Sequence, residues 1–387
     1  MALTRLGAAA ALVAGVMSLP LAGHAATLTT LYSFQGGADG SGPEDGLTYL
    51  DGFFYGVTTY GGTSSAPECA NMGCGTIFKI DATTGAETVL YAFDHSTGQS
   101  PTLGGVIFNH GKLYGTAHAG GASGYGTVFE FDPVTGKAKL LHSFSGGADG
   151  QYPAAGLTYA NGNFYGTTVN GGSAGSGTIF EINATTGAET VVHSFTGPDG
   201  VGPEGGLIFV GDSLYGTTEL GDDDNGTVFA FNPTTDAETV LYKFGRAPDA
   251  SEPSATLLYE SGNLFGTSMY GGAANGMGPG TIFKVNATTG AETVLYHFDK
   301  AHGDTPVAGL IDRGGNLYGT TAAGGPNGQG SVFRLNSTTD RLTVLQSFTS
   351  ENGAQPEGGL IYHAGSFYGA TSTGGTAGAG TVFKLVP

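Results

Sequence analysis

The chain has no tryptophan, two cysteines, and only 13 Lys and Arg residues against 32 Asp and Glu. The formal charge of -19 argues against nucleic acid and other polyanions as direct partners, because binding them depends on cationic side chains. Without tryptophan, the usual aromatic platform of a sugar site is missing, and tyrosine would have to serve. No zinc-protease helix motif, phosphate loop or dinucleotide fingerprint occurs. Charged residues are also few, at 12% against 39% hydrophobic, which excludes a disordered chain.

Long apolar runs are absent beyond the start of the chain. The first residues, "MALTRLGAAAALVAGVMSLPLAGHA", read as a secretory signal spanning 1–25, with one arginine, a short apolar run and small residues before a cut after Ala25. Arg5 is the one charged residue there, so cleavage changes the charge from -19 to -20. The remaining 26–387 are expected to form one soluble domain, secreted or periplasmic, bacterial and monomeric, with no membrane span.

Glycine is abundant instead, 72 residues without the period of collagen, which points to many tight turns. The turns punctuate a repeat. Phenylalanine ends a strand-like segment at 34, 93, 144, 195, 244, 298 and 348. Between these anchors four elements recur in fixed order: A ("GLTY", from Gly46), B ("FFYGVTT", from Phe53), C ("GTIFKI", from Gly75) and D ("ETVLYAF", from Glu87). All are rich in Val, Ile, Thr, Tyr and Phe. The A–B junction is a dipeptide such as "DG" or "NG", suited to a primed hairpin turn. The C–D junction, "DATTGAE" or "NATTGAE", suits a longer hairpin. A radially repeated four-stranded unit of this size predicts an all-β, seven-bladed β-propeller of antiparallel blades. The chain begins on a lone D segment, Thr27 to Phe34, and ends on C. The N-terminal strand is therefore expected to complete the C-terminal blade and close the ring.

The B strand running into "GG" and then a C strand distantly resembles the kelch blade. The "GLxYxxGxFYGTTxxGGxxxxGTIFKI" core more closely resembles the gloeo/verruco (GloVer) repeat of exported bacterial proteins. That resemblance covers nearly all of 26–387 and implies fold and location; no activity defines the family.

A propeller places its D–A and B–C loops on one face, and here the B–C loops vary while the opposite turns do not. Candidate ligand-binding residues on that face are Tyr60, Tyr125 and Tyr270 for stacking, and His118 and Glu219 at the end of strand B. Glu44, Glu204 and Glu357, each following a proline, form a possible acidic rim. If the protein is an enzyme, His118 and Glu219 are the acid–base pair, acting across the channel. Asp39, Asp149, Asp199 and Asp249 lie four residues before the same proline and read as caps of their own turns. Asp222, Asp223 and Asp224 offer oxygen ligands to Ca2+, or simply form a solvated acidic loop. No other cofactor is indicated. Cys69 and Cys74, inside the longest B–C loop, are expected to form a local disulfide, placing that loop to overhang the axis as a lid.

The first reading is a non-enzymatic binding module for a glycan or protein. The alternative is an extracellular glycan-active hydrolase or lyase on the same scaffold.

Overall fold

The computed structural model describes residues 26–101, 104–221, 225–245, 248–272 and 278–387. The signal-peptide expectation at 1–25 and the acidic loop Asp222–Asp224 therefore lie outside the described residues. Seven antiparallel blades of four strands follow one another along the chain, the second extended by a short fifth strand, Gln99–Pro101. In the first blade the strands are A (Thr48–Leu50), B (Phe53–Thr58), C (Thr76–Asp81) and D (Glu87–Ala92), hydrogen-bonded in that order. The seventh blade takes its first three strands from the C-terminus, and its fourth is Thr27–Ser33. That strand pairs antiparallel with Thr381–Val386, from Thr27 opposite Val386 to Ser33 opposite Thr381. The ring closes as expected.

The phenylalanine that ends each D strand explains why the blades form a ring. Each packs edge-to-face against the phenylalanine of strand C in the following blade, with centroids 4.9–5.2 Å apart at all seven interfaces. Phe34 against Phe78 is the pair across the closure. Both rings there are fully buried. Such a pair contributes roughly 0.5–1.5 kcal/mol beyond the burial of its area.

The "YG" of strand B serves the same contact. A Cβ on Gly56 would sit 2.6 Å from Phe78 Cζ, and the equivalent glycines of the other six blades stand as close to their own rings. Glycine is needed there for space. Between strands B and C, hydroxyl pairs such as Thr58–Thr76 at 2.9 Å and Thr168–Thr178 at 2.7 Å satisfy one another in the dry interior.

The turns follow the sequence pattern. Asp51, His110, Asn161, Ser261 and Ala364 all have positive φ at the A–B junctions, as primed turns require. In the C–D turns, Asp81 and Asn183 accept backbone N–H groups two and three residues on.

Candidate functional site at the mouth of the channel

The segments leading into the A strands line a central channel of about 550 Å3, walled mainly by small and aliphatic residues such as Gly46, Gly104, Ala155, Thr256, Ala308 and Leu310. Its mouth is built by the D–A loop, which runs beside the end of strand B in every blade. Bridges such as Ser41 to Tyr60 and Val201 to Leu220 hold it there.

The residue before the loop proline has a fixed task. Its N–H donates to a carbonyl in the preceding blade's B–C loop at 2.8–3.2 Å, as in Gly42 to Ala379 and Tyr152 to Tyr125. In most blades its carbonyl accepts from the end of strand B, as in Val169 to Tyr152 and Glu219 to Gly202. To make both bonds it adopts a left-handed conformation. Glycine fills the place at Gly42 and Gly202, but Ser100, Tyr152, Glu252, Thr305 and Gln355 carry side chains there. A left-handed side-chain-bearing residue costs roughly 1–2 kcal/mol. This strain is concentrated around the mouth.

The predicted acidic rim comes together. Glu44, Glu204 and Glu357 all line the channel, and each is half-buried. They fall in two arcs. On the side of blades 7 and 1, Glu357 and Glu44 are near enough for the Glu44 charge to raise the Glu357 pKa, after the larger effect of burial. Thr59 Oγ1 donates to Glu44 Oε2 at 2.9 Å. Next to Glu44, Asp45 is buried, with Oδ1 unpartnered, and burial followed by the Glu44 charge holds its pKa far above the usual carboxylate range. Other blades carry small residues at this position, including Ala155, Ala255 and Ala308.

On the side of blades 4 and 5, burial and then the charges of Glu219 and Glu252 push Glu204 up to about 7. Burial also raises Glu219 and Glu252. The end of strand B thus brings Glu219 near Glu204.

Between the acidic arcs, blades 2 and 3 supply an aromatic one. The His118 ring stacks on Tyr152 at 5.0 Å, and Tyr125 meets Tyr152 edge-on at 5.7 Å. His118 is exposed, yet the desolvation it meets among these neighbours lowers its pKa. His118 and Glu219 belong to separate arcs, and no contact joins them. Tyr60 and Tyr270 are exposed on the rim, where Tyr60 lies beside Glu44 around Gly42 and Tyr270 pairs with Ser251.

Sequence reasoning missed Tyr152, Glu252 and Asp45. The available signal was departure from the repeat: each replaces a glycine or small residue found at the same place in other blades.

Cys69 and Cys74 form the expected disulfide. The lid does not follow. Both cysteines are buried in the core shared by the first two blades, and Ser100 N–H donates to the Cys74 carbonyl. Residues 63–66 instead border a groove with Ala92 and Asp94, at the outer strand D, and the loop lines none of the channel. Asp39, Asp149, Asp199 and Asp249 cap their own loops, accepting the N–H of Gln35, Ser145, Thr196 and Gly245 respectively. Among the described residues, two His/Asp/Glu clusters away from the mouth bring together side chains able to ligate a metal.

Fold and mouth define a closed seven-bladed propeller with a half-buried carboxyl cluster at one end of its channel. The chain belongs to the Gloeobacter/Verrucomicrobia repeat family, whose model matches residues 15–167, 104–299 and 221–387. No curated protein matches it in sequence. Solved structures share the fold. A candidate 6-phosphogluconolactonase from Bacteroides fragilis has a TM-score of 0.52 at 17% identity, covering 84% of this chain and 89% of that one. An oligogalacturonate lyase in complex with manganese has a TM-score of 0.50 at 12% identity, with 93% and 90% covered. The extracellular domain of a candidate one-component system from B. thetaiotaomicron gives 0.59 at 12% identity; 92% of this chain covers 40% of that one. At these identities the likeness shows the fold alone. Among the described residues, no helix is long and apolar enough to cross a membrane.

Proposed function

We propose that the protein is an exported binding module whose channel mouth holds a hydroxyl-rich glycan without negative charge. One observation carries this reading: Glu44, Glu204 and Glu357, from three different blades, converge on one half-buried opening. Glu204, pushed up to about 7, both donates and accepts hydrogen bonds near neutral pH, which suits sugar hydroxyls, and burial raises Glu44 and Glu357 in the same direction. Tyr60, Tyr125, Tyr152 and Tyr270 supply stacking surface in place of tryptophan. An anionic polymer of the kind named for the lyase neighbour would meet like charge at both acidic arcs. Calcium is a possible companion, since a cation would relieve the crowding of Glu44 with Glu357. The disulfide and the signal-like N-terminus support export.

A second reading is favoured by Glu204. A carboxyl pushed to about 7 beside two others is poised as a general acid, the arrangement a glycan hydrolase needs. One experiment addresses both. The protein is incubated, with calcium and then with chelator, against neutral, cationic and anionic polysaccharides, and both retention and shortened products are scored. Retention on neutral or cationic polymers without products supports the binding module. Products favour the hydrolase. Retention on anionic polymers alone overturns the proposal.

A further inference from the structure

A second recurring arrangement lies between the blades, away from the channel. At four interfaces a loop aspartate is near a glutamate from strand D of the next blade: Asp39 with Glu87, Asp149 with Glu189, Asp199 with Glu238, and Asp249 with Glu292. In each pair the glutamate Oε1 is buried without a hydrogen-bond partner. The other three interfaces carry neither acid. Thr97, His302 and Asn352 take the aspartate position, and Ala138, Leu342 and Leu28 the glutamate position. The two acids are therefore present together or absent together. A pair of half-buried like charges that recurs as a unit calls for a shared proton or a cation.

The third member of each unit separates these possibilities. At two interfaces it is a tyrosine, with Tyr32 donating to Asp39 at 3.0 Å and Tyr242 to Asp249 at 2.9 Å. At the other two it is a histidine, His142 Nε2 at 3.1 Å from Asp149 and His193 Nε2 at 3.0 Å from Asp199. A neutral phenol at this place is a donor, whereas neutral imidazole also offers a lone pair to a metal. In His142–Asp149–Glu189 and in His193–Asp199–Glu238 the ligand atoms all lie within 4.8 Å of one another.

We propose that these two clusters each bind one divalent transition-metal ion, with zinc as the type ion. One imidazole and two carboxylates are a donor set zinc accepts, with bonds of about 2.0–2.2 Å, and modest side-chain rotation closes the gap. The two carboxylates match the ion's charge, and the glutamate Oε1 gains the partner it lacks. The supporting contacts are in place. Each histidine ring packs edge-on against its neighbouring phenylalanine at 4.8 Å, Phe144 in one site and Phe195 in the other. The remaining aspartate oxygen accepts from Ser145 or Thr196. Such outer contacts orient ligands. Each ion would join adjacent blades, because its ligands come from both. The Lys243 charge acts on Glu238, so the second site is expected to be the weaker.

Equilibrium dialysis of the untagged protein against zinc tests this. Tyrosine occupies the histidine position at the sibling interfaces, so His142→Tyr and His193→Tyr are changes the fold already accommodates. The wild type should retain two ions per chain, each single variant one, and the double variant none. The zinc-induced rise in melting temperature should fall in the same steps. Glu189→Gln, which keeps the shape of the side chain, should also remove one ion. Failure of the wild type to retain zinc, or equal retention by the double variant, would overturn the proposal.

Discussion

At the end of strand B, seven blades carry Thr59, His118, Val169, Glu219, Met269, Ala322 and Ser372. Three residues earlier in the same strands, all seven carry glycine. The glycine lies under a phenylalanine ring inside the interface, where every blade faces the same packing problem. The strand end lies at the channel mouth, where no packing constraint is shared. Uniformity along the repeat therefore reports the frame, and divergence reports the site.

The largest expected effect is on the frame. Deleting Ala26–Phe34 removes the fourth strand of the seventh blade and the fully buried Phe34 ring. The cooperative melting transition should disappear; an unchanged melt would show that closure is dispensable. Gly319→Ala should cost about 1–3 kcal/mol by overpacking, since its Cβ would stand 2.7 Å from Phe333 Cζ and 2.9 Å from Leu310 Cδ2. Denaturant midpoints measure this directly, and a neutral result would mean that the interface yields more readily than its packing suggests.

A smaller effect of opposite sign is expected at the mouth. Asp45→Ala installs the residue that other blades use and removes an unpartnered buried oxygen. A gain of about 1 kcal/mol is expected, because the relief exceeds the loss of the Gly105 hydrogen bond. Destabilisation on chemical melting would contradict the description of Asp45 as a buried acid with an unsatisfied oxygen.

The pH dependence is expected to be gradual. Glu87, Glu204 and Glu292 are each pushed up to about 7 by burial, with nearby carboxylates adding to the shift. Folded chains then hold more protons than unfolded ones between the usual carboxylate value and about 7, so stability falls as pH rises through that window. Turn aspartates such as Asp81, held low by backbone N–H groups, act in the opposite direction only under more acidic conditions. Melting temperature should be higher at pH 5 than at pH 8. The reverse order would mean that these glutamates are ionised at little cost.

Most of the frame was legible in the chain because its signals are local: turn dipeptides, β-branched runs and the recurring phenylalanine. Glu44, Glu204 and Glu357 were legible as a rim because each follows a proline whose place the fold fixes. The Asp39–Glu87 class of pairs was not, since its members come from different blades and meet only when the ring forms. The intended lid failed for a related reason. The cysteine spacing told of a bond but not that both sulfurs would be buried in a core between blades. Tyr152 was hidden because its task is performed by glycine in two sibling blades.

The most direct test of the division between frame and site is the triple variant Glu44→Gln, Glu204→Gln, Glu357→Gln. Its binding to the best-retained polysaccharide would be measured by titration calorimetry alongside its thermal melt. Affinity should fall at least about tenfold, or roughly 1.4 kcal/mol, while the melting temperature holds or rises. Unchanged affinity would contradict the account, because the converging glutamates would then not be where the ligand sits.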